Sequence, residues 1–125
     1  MKTLIAATLL ALSSSGYAAE DTNSANYMLP LCQAGFDDPI YQKLFFKGRC
    51  VGILETLKIM YELEKFFYDI GQPKQPLRCV DVPSNLSPDQ AVRVVVRYGE
   101  LHPEETHMPF MVLATKAFEQ AWPCK

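Results

Sequence analysis

The chain has 125 residues, with 12 basic residues, 14 acidic residues and a formal net charge of −2 at pH 7. Because this charge is mildly acidic and the sequence contains no basic run, the composition argues against a nucleic-acid-binding protein. The length fits one domain with one modest hydrophobic core.

The first residues have the parts of an export signal. Lys2 supplies a positive charge, residues 4–12 form an apolar run, and Gly16 and Ala18 are small residues at the expected cleavage point. We predict a signal peptide over residues 1–18, with cleavage after Ala19 as the alternative, and a mature domain over residues 19–125. The apolar run is too short to span a bilayer, so we expect no membrane attachment after cleavage.

Four cysteines follow the signal, namely Cys32, Cys50, Cys79 and Cys124. An even number of cysteines in a small exported domain predicts two disulfides, and the count alone leaves three pairings open. No Cys-x-x-Cys motif is present, so neither a thioredoxin-type redox site nor a zinc knuckle is indicated.

Two helices are predicted in the first half of the mature chain. Ser24 can cap a short first helix that ends near Pro30, and Asp38-Pro39 is a start signal for the next helix. Apolar residues then recur at intervals of three and four, which predicts one buried stripe on a long helix. The stripe consists of Phe46, Cys50, Ile53, Leu57, Met60, Leu63, Phe67 and Ile70. Gly71 ends this helix, and the segment to Pro76 is a connector.

Two glycines, Gly48 and Gly52, stand one helical turn apart near the start of this stripe. Glycine is unfavourable inside a helix by about 1 kcal/mol, so the pair needs a reason. One alternative is a close approach to another helix beside Cys50. The other is a helix that begins only near Arg49, with Gly48 in a loop.

The second half of the chain predicts two more helices. Ser87, Pro88 and Gln90 form a capping box, which favours a helix over a strand for the valine-rich residues 92–98. Asp89, Arg93, Arg97 and Glu100 then form a polar ladder on one face. The helix ends at His102-Pro103. A last helix begins between Thr106 and Pro109 and buries Phe110, Leu113 or Ala114, Ala117, Phe118 and Ala121.

These elements predict an all-α single domain of about four helices, whose last two helices form an antiparallel hairpin because their connection is short. Cys79 precedes the first of these two helices and Cys124 follows the second, so the hairpin brings them together. The predicted pairs are therefore Cys79–Cys124 and Cys32–Cys50.

Catalytic signals are weak, and we predict neither an enzyme nor a cofactor. The two histidines, His102 and His107, do not have the spacing of helical metal ligands, and no glycine-rich phosphate loop or serine elbow is present. A partner-binding surface is better supported because arginine and tyrosine are enriched at interface hot spots. It comprises Arg93, Arg97, Tyr98, Glu100 and His102. The alternative is a solvated face with internal salt links.

Five segments in order carry a family resemblance: Ser24–Pro30, Gly48–Gly52, Gln90–Tyr98, His102–Glu104 and Ala121–Cys124. Together they resemble the Rap/Tai family of type VI secretion immunity proteins, across nearly the whole mature chain. The resemblance implies a periplasmic, all-helical and usually homodimeric protein that binds a secreted peptidoglycan amidase effector and covers its active-site cleft. A periplasmic chaperone or stress-binding protein of the same small helical form is the alternative function.

Overall fold

The computed structural model describes residues 20–33, 41–71 and 80–124. These residues form four α-helices, α1 (Ala25–Gln33), α2 (Tyr41–Asp69), α3 (Pro88–Leu101) and α4 (Phe110–Ala121), with a 3-10 turn at Pro103–Glu105. The described residues contain two isolated bridges and no longer strand, which confirms the all-α class. The predicted signal peptide, the Asp38-Pro39 helix start, the Pro73 to Pro76 connector and Cys79 lie outside the described residues.

The first helix begins as predicted but ends later. The Ser24 hydroxyl accepts a hydrogen bond from the Tyr27 backbone nitrogen at 3.3 Å, which confirms the cap. The predicted end near Pro30 is wrong, because α1 continues through Pro30 to Gln33. Met28 and Cys32 are buried on either side of this proline. Their packing holds the helix together although Pro30 lacks a backbone N–H.

The second helix buries only part of the predicted stripe. Cys50 and Leu57 are buried, but Met60, Leu63, Phe67 and Ile70 are exposed, so the prediction fails in the second half of α2. The predicted series has a mean spacing below the 3.6 residues of a helical turn, so it winds around the helix instead of staying on one face. The face that is in fact buried consists of Lys47, Cys50, Leu54, Leu57 and Tyr61.

Two explanations of the glycine pair were open, a close approach of another helix and a helix start near Arg49, and the described residues support neither. Gly48 and Gly52 both lie inside α2, because the helix begins at Tyr41 and not near Arg49. Among the described residues, a methyl group added at either glycine would meet no atom within 4 Å, so no described helix approaches the two glycines closely. The close approach occurs elsewhere: a Cβ at Gly99 would lie 2.5 Å from a methyl carbon of Leu29.

The third helix is capped as predicted. The Ser87 hydroxyl accepts from the Gln90 backbone nitrogen at 3.2 Å, Pro88 is the first residue of α3, and Leu86 and Ala91 are both buried. This cap fixes where α3 begins and therefore which of its faces is exposed.

The last helix supplies much of the core. Phe110, Leu113, Ala114, Ala117 and Phe118 are buried as predicted, whereas Ala121 is exposed, contrary to the prediction. The Trp122 ring packs edge-on against Phe118, with the ring centroids 5.1 Å apart. Because Ala121 lies in the last turn of α4, it extends beyond the elements that cover the helix.

The chain before α3 meets the chain after α4. Val80 and Pro123 form an antiparallel bridge, and the Asp81 nitrogen donates to the Trp122 carbonyl oxygen at 2.9 Å. The Cys32–Cys50 disulfide is confirmed, with the two Cα atoms 5.5 Å apart. Cys79 is outside the described residues, so the second disulfide and the antiparallel hairpin stay predictions. No helix among the described residues has the length and apolar character needed to cross a membrane.

Peptide mapping tests the remaining pair. Digestion of the non-reduced mature protein should release one peptide pair containing Cys79 and Cys124 beside the pair containing Cys32 and Cys50. Mass spectrometry before and after reduction identifies both. A Cys79 that reacts with a thiol reagent in the native protein would contradict the prediction.

Loss of the α3 cap should destabilise the protein. Ser87→Ala removes the acceptor for the Gln90 nitrogen, so we expect the free energy of unfolding to fall by about 1 kcal/mol. Urea denaturation followed by circular dichroism measures the change. Ser84→Ala, at an exposed serine just upstream, is the matched control and should have little effect.

Candidate partner-binding site

A groove of about 650 Å³ lies where α3 meets the end of α1 and the first half of α2. We call it the arginine groove. Its described lining is Cys32, Gln33, Lys47, Asp89, Val92, Arg93, Val96, Arg97 and Glu100.

The cap of α3 and its helical period place the charged residues in this groove. Asp89, Arg93 and Arg97 follow at intervals of four, and Glu100 comes three residues later, so all four lie on one face. The opposite side of α3 is held in the core by buried residues that include Val95 and Gly99. The charged face is therefore presented by a helix that cannot easily rotate.

The ladder is not internally salt-linked. The Arg93 Nε atom donates to the backbone oxygen of Asp89 at 3.3 Å. Among the described residues, the carboxylates of Asp89 and Glu100 form no ion pair with Arg93 or Arg97. The internal salt links of the alternative are therefore not found among the described residues, while its solvated face agrees with the exposure of Arg93, Arg97 and Glu100. Apart from the Nε–H of Arg93, the guanidinium donors of Arg93 and Arg97 have no partner among the described residues. Arginine presents such donors in a planar fork that fits carboxylates and carbonyl oxygens.

Tyr98 and His102 lie apart from the groove. Tyr98 follows Arg97 by one residue, which turns it by about 100° around α3. Its ring packs on the His102 ring at a centroid distance of 4.3 Å, and neither residue lines the groove. The structure therefore divides the five predicted partner-binding residues into two clusters: the groove residues Arg93, Arg97 and Glu100, and the Tyr98–His102 pair.

Glu105 joins the second cluster to α4. It accepts a hydrogen bond from the Tyr98 hydroxyl at 3.0 Å and one from the Lys116 ammonium at 2.8 Å. The Lys116 hydrogen bond is the main cause that lowers the pKa of Glu105. Burial raises the pKa of Tyr98, and its hydrogen bond to Glu105 adds to that effect. Glu105 thereby ties the segment between α3 and α4 to both helices.

The same segment is also bound to the start of α1. The backbone nitrogens of Asn26 and Ala25 donate to the carbonyl oxygens of Thr106 and Met108, both at 2.8 Å. The Phe110 nitrogen donates to the Asn23 carbonyl oxygen at 2.7 Å. Sequence reasoning missed these bonds, and it missed the Glu105–Lys116 ion pair, because no periodic pattern links residues so far apart.

The described residues offer recognition chemistry more than catalytic chemistry. His102 Nδ1 lies 3.3 Å from a carboxylate oxygen of Glu104, and His107 Nδ1 lies 2.8 Å from the backbone carbonyl oxygen of Glu104. Within the described ranges, no three histidine, cysteine, aspartate or glutamate side chains are grouped to hold a metal ion. The arginine groove supplies donors from Arg93 and Arg97 and acceptors from Asp89 and Glu100, above an apolar floor of valines.

Glu105→Gln should weaken the fold in a pH-dependent way. A carboxylate whose pKa is lowered on folding stabilises the native state above its unfolded pKa, and that contribution is lost as pH falls through the folded value. We expect a lower unfolding temperature for the variant at neutral pH, and convergence with the wild type as the pH falls from neutral to well below 4.5, the ordinary pKa of this carboxyl group. Differential scanning calorimetry across this range measures both.

Glu100→Gln is the control, because Glu100 is exposed on α3 and has no ion pair among the described residues. Its unfolding temperature should stay close to that of the wild type. A Glu105→Gln deficit of equal size at all pH values would show that the charge of Glu105 is not what matters.

Comparison with known proteins gives a family match. A family model described as Rap1a immunity proteins matches residues 24–124, which covers every described element from the cap of α1 to the end of α4. No curated protein and no solved structure matches. The match confirms the resemblance seen in the sequence, and the chain belongs to the Rap1a family of immunity proteins.

Proposed function

We propose that this protein is a periplasmic immunity protein that binds a type VI secretion peptidoglycan amidase effector and occludes its active site. The family match over residues 24–124 is the observation that carries the proposal. In this role the protein is not an enzyme, because inhibition by occlusion requires only binding energy.

The arginine groove is the surface that we assign to the effector. An amidase cleft that accepts peptide substrates presents carbonyl and amide groups. The groove offers matching donors from Arg93 and Arg97 and an acceptor from Glu100. Since the two guanidinium groups have no carboxylate partner among the described residues, binding an effector does not first require breaking an internal ion pair. We infer that these three residues contact the effector directly.

Tyr98 and His102 have a different part in this proposal. Tyr98 is half-buried and bonded to Glu105, so it positions the turn after α3. His102 stacks on Tyr98 and keeps about a third of its side chain exposed. We assign His102 to a second contact at the end of α3, held in place by Tyr98.

Export to the periplasm fits the other features of the chain. The predicted signal peptide over residues 1–18 directs the mature domain out of the cytoplasm. The Cys32–Cys50 disulfide persists in an oxidising compartment, and the predicted Cys79–Cys124 pair is of the same kind. Homodimerisation, which the family resemblance implies, completes the proposal.

Affinity purification tests the function as a whole. The tagged mature protein, expressed in the periplasm of the strain that carries its gene, should recover a stoichiometric secreted protein. That partner should cleave peptidoglycan peptides, and the immunity protein should inhibit it at a one-to-one ratio of chains. Recovery of several unrelated clients with suppression of their aggregation would favour the chaperone alternative. Release of peptides by the pure protein itself would indicate an enzyme.

Substitutions in the groove test the binding surface. Arg93→Ala and Arg97→Ala should each weaken binding to the recovered amidase by about 30-fold, the size of an interface hot spot of about 2 kcal/mol. Isothermal titration calorimetry measures the affinity. Both variants should keep the wild-type unfolding temperature, because neither arginine packs in the core.

Lys65→Ala is the matched cation control. Lys65 pairs with Asp81 and lies 18 residues beyond Lys47 on α2, or about 27 Å along the helix axis. This variant should bind the amidase like the wild type. Unchanged affinity in both arginine variants would show that the groove does not bind the amidase. The immunity function would then depend on another surface.

A further inference from the structure

The second half of α2 exposes an apolar face on the side opposite the core. Ile59, Leu63 and Phe66 are 52%, 49% and 56% exposed, and Ile70 in the following turn is 57% exposed. Gly48, Gly52 and Thr56 continue the same face toward the start of the helix, and all three are exposed. We call these seven residues the outer α2 face. None of them is charged.

The spacing of this face is that of a helix-pairing seam. Gly52, Ile59 and Phe66 repeat every seven residues, and Thr56, Leu63 and Ile70 form a second series of the same period, offset by four. Two interleaved seven-residue series are the pattern with which one helix packs along another. The pattern therefore specifies an α-helix as the occupant, not a strand or an extended peptide.

The two glycines suit a close approach between chains. A side chain added at Gly48 or Gly52 would meet nothing in the described part of the chain. Two glycines inside a helix cost about 2 kcal/mol in helix propensity, and no contact in the described ranges offsets that cost. An exposed glycine pair one turn apart lets the backbone of a second helix come near.

The apolar area on this face is most of what a stable dimer needs. The four half-exposed apolar side chains of the outer α2 face, with their neighbours Met60 and Phe67, offer on the order of 600 Å² when each contributes about 100 Å². A standard interface buries about 800 Å² per partner. A patch of this size lies at the upper end of what monomeric proteins expose, and such patches are often interaction sites.

We propose that the outer α2 face is the interface of a homodimer, in which the α2 helices of two copies pack along each other. A second copy supplies a helix with the same seven-residue period, and self-pairing gives the isologous contact of a two-fold dimer. This inference deepens the homodimer of the proposed function by assigning its surface. It is separate from the arginine groove, because the groove residue Lys47 belongs to the buried side of α2.

Sedimentation equilibrium of the mature chain tests the proposal without any effector. We expect a dimer with a dissociation constant of about 1 μM or tighter, the weak end for an interface of standard size. A protein that stays monomeric at about 100 μM, a hundredfold above that value, would overturn the proposal. A second result would also overturn it: a monomeric wild type whose Leu63→Asp variant no longer binds the amidase. The outer α2 face would then belong to the effector-binding surface.

Leu63→Asp places a charge at the centre of the seam and should raise the dissociation constant of the dimer by at least about 30-fold. Leu101→Asp is the matched control, because Leu101 is 60% exposed on α3 and is not part of the outer α2 face. The control should remain dimeric. A Leu63→Asp variant as dimeric as the control would contradict the assignment.

Gly52→Gln separates an interface effect from a folding effect. Glutamine favours the helix more than glycine does and meets no neighbour in the single chain, so the monomer should be at least as stable as the wild-type monomer. In the dimer the added side chain blocks the close approach, and we expect the dissociation constant to rise at least about tenfold. An unchanged dissociation constant would overturn the seam. Loss of dimerisation with full helicity by circular dichroism would support it.

Discussion

The Cys32–Cys50 disulfide joins α1 to α2 beside the arginine groove, and the arrangement of the first two helices depends on it. Its two cysteines are both buried, and they are separated by 18 positions in sequence. A crosslink that closes a loop of this size stabilises a small domain by about 3 kcal/mol in the chain-entropy account. The bond also explains how α1 tolerates Pro30. The helix must continue past the proline for Cys32 to reach Cys50, and burial of Met28 and Cys32 outweighs the missing hydrogen bond.

The groove and the turn after α3 show two ways of holding a recognition surface still. In the groove, an apolar backing fixes α3, and Arg93 and Arg97 have no carboxylate partner among the described residues. In the turn, polar groups are hydrogen-bonded within the chain. Glu105 binds Tyr98 and Lys116, and the start of α1 binds the backbone of the same segment. The first arrangement leaves hydrogen-bond donors available to a partner, whereas in the second the polar groups are already bonded within the chain. This contrast is why Arg93 and Arg97 are stronger candidates for direct contact than Tyr98.

Local rules predicted the parts of the fold that local chemistry decides. The caps at Ser24 and Ser87 depend on a few adjacent residues, and both are where the sequence places them. The same holds for the end of α2 at Gly71, whose backbone has a positive φ of 83°.

The predictions fail where packing between distant residues decides the structure. Local rules end α1 at Pro30, but tertiary contacts sustain the helix beyond it. Local rules also place the apolar series of α2 on one face, although its period lets it wind around the helix. In the candidate site, the ladder on α3 was predictable from its four-residue steps. The Glu105–Lys116 pair was not, because it depends on how α4 returns against α3.

A helix with two apolar sides is ambiguous in a single sequence, and α2 is such a helix. A periodicity argument selects the longest series of apolar residues, and on α2 that series mixes core residues such as Leu57 with outward residues such as Leu63. The glycines resolve the ambiguity. A core face would have side chains at the positions of Gly48 and Gly52, whereas no atom of the described part of the chain lies within 4 Å of a Cβ added at either glycine. The two glycines therefore distinguish the outer side of α2 from its core side, independently of how exposed the other residues are. Since Lys47 and the groove lie on the opposite side of α2, pairing along the outer face would leave the arginine groove of each copy accessible to a partner.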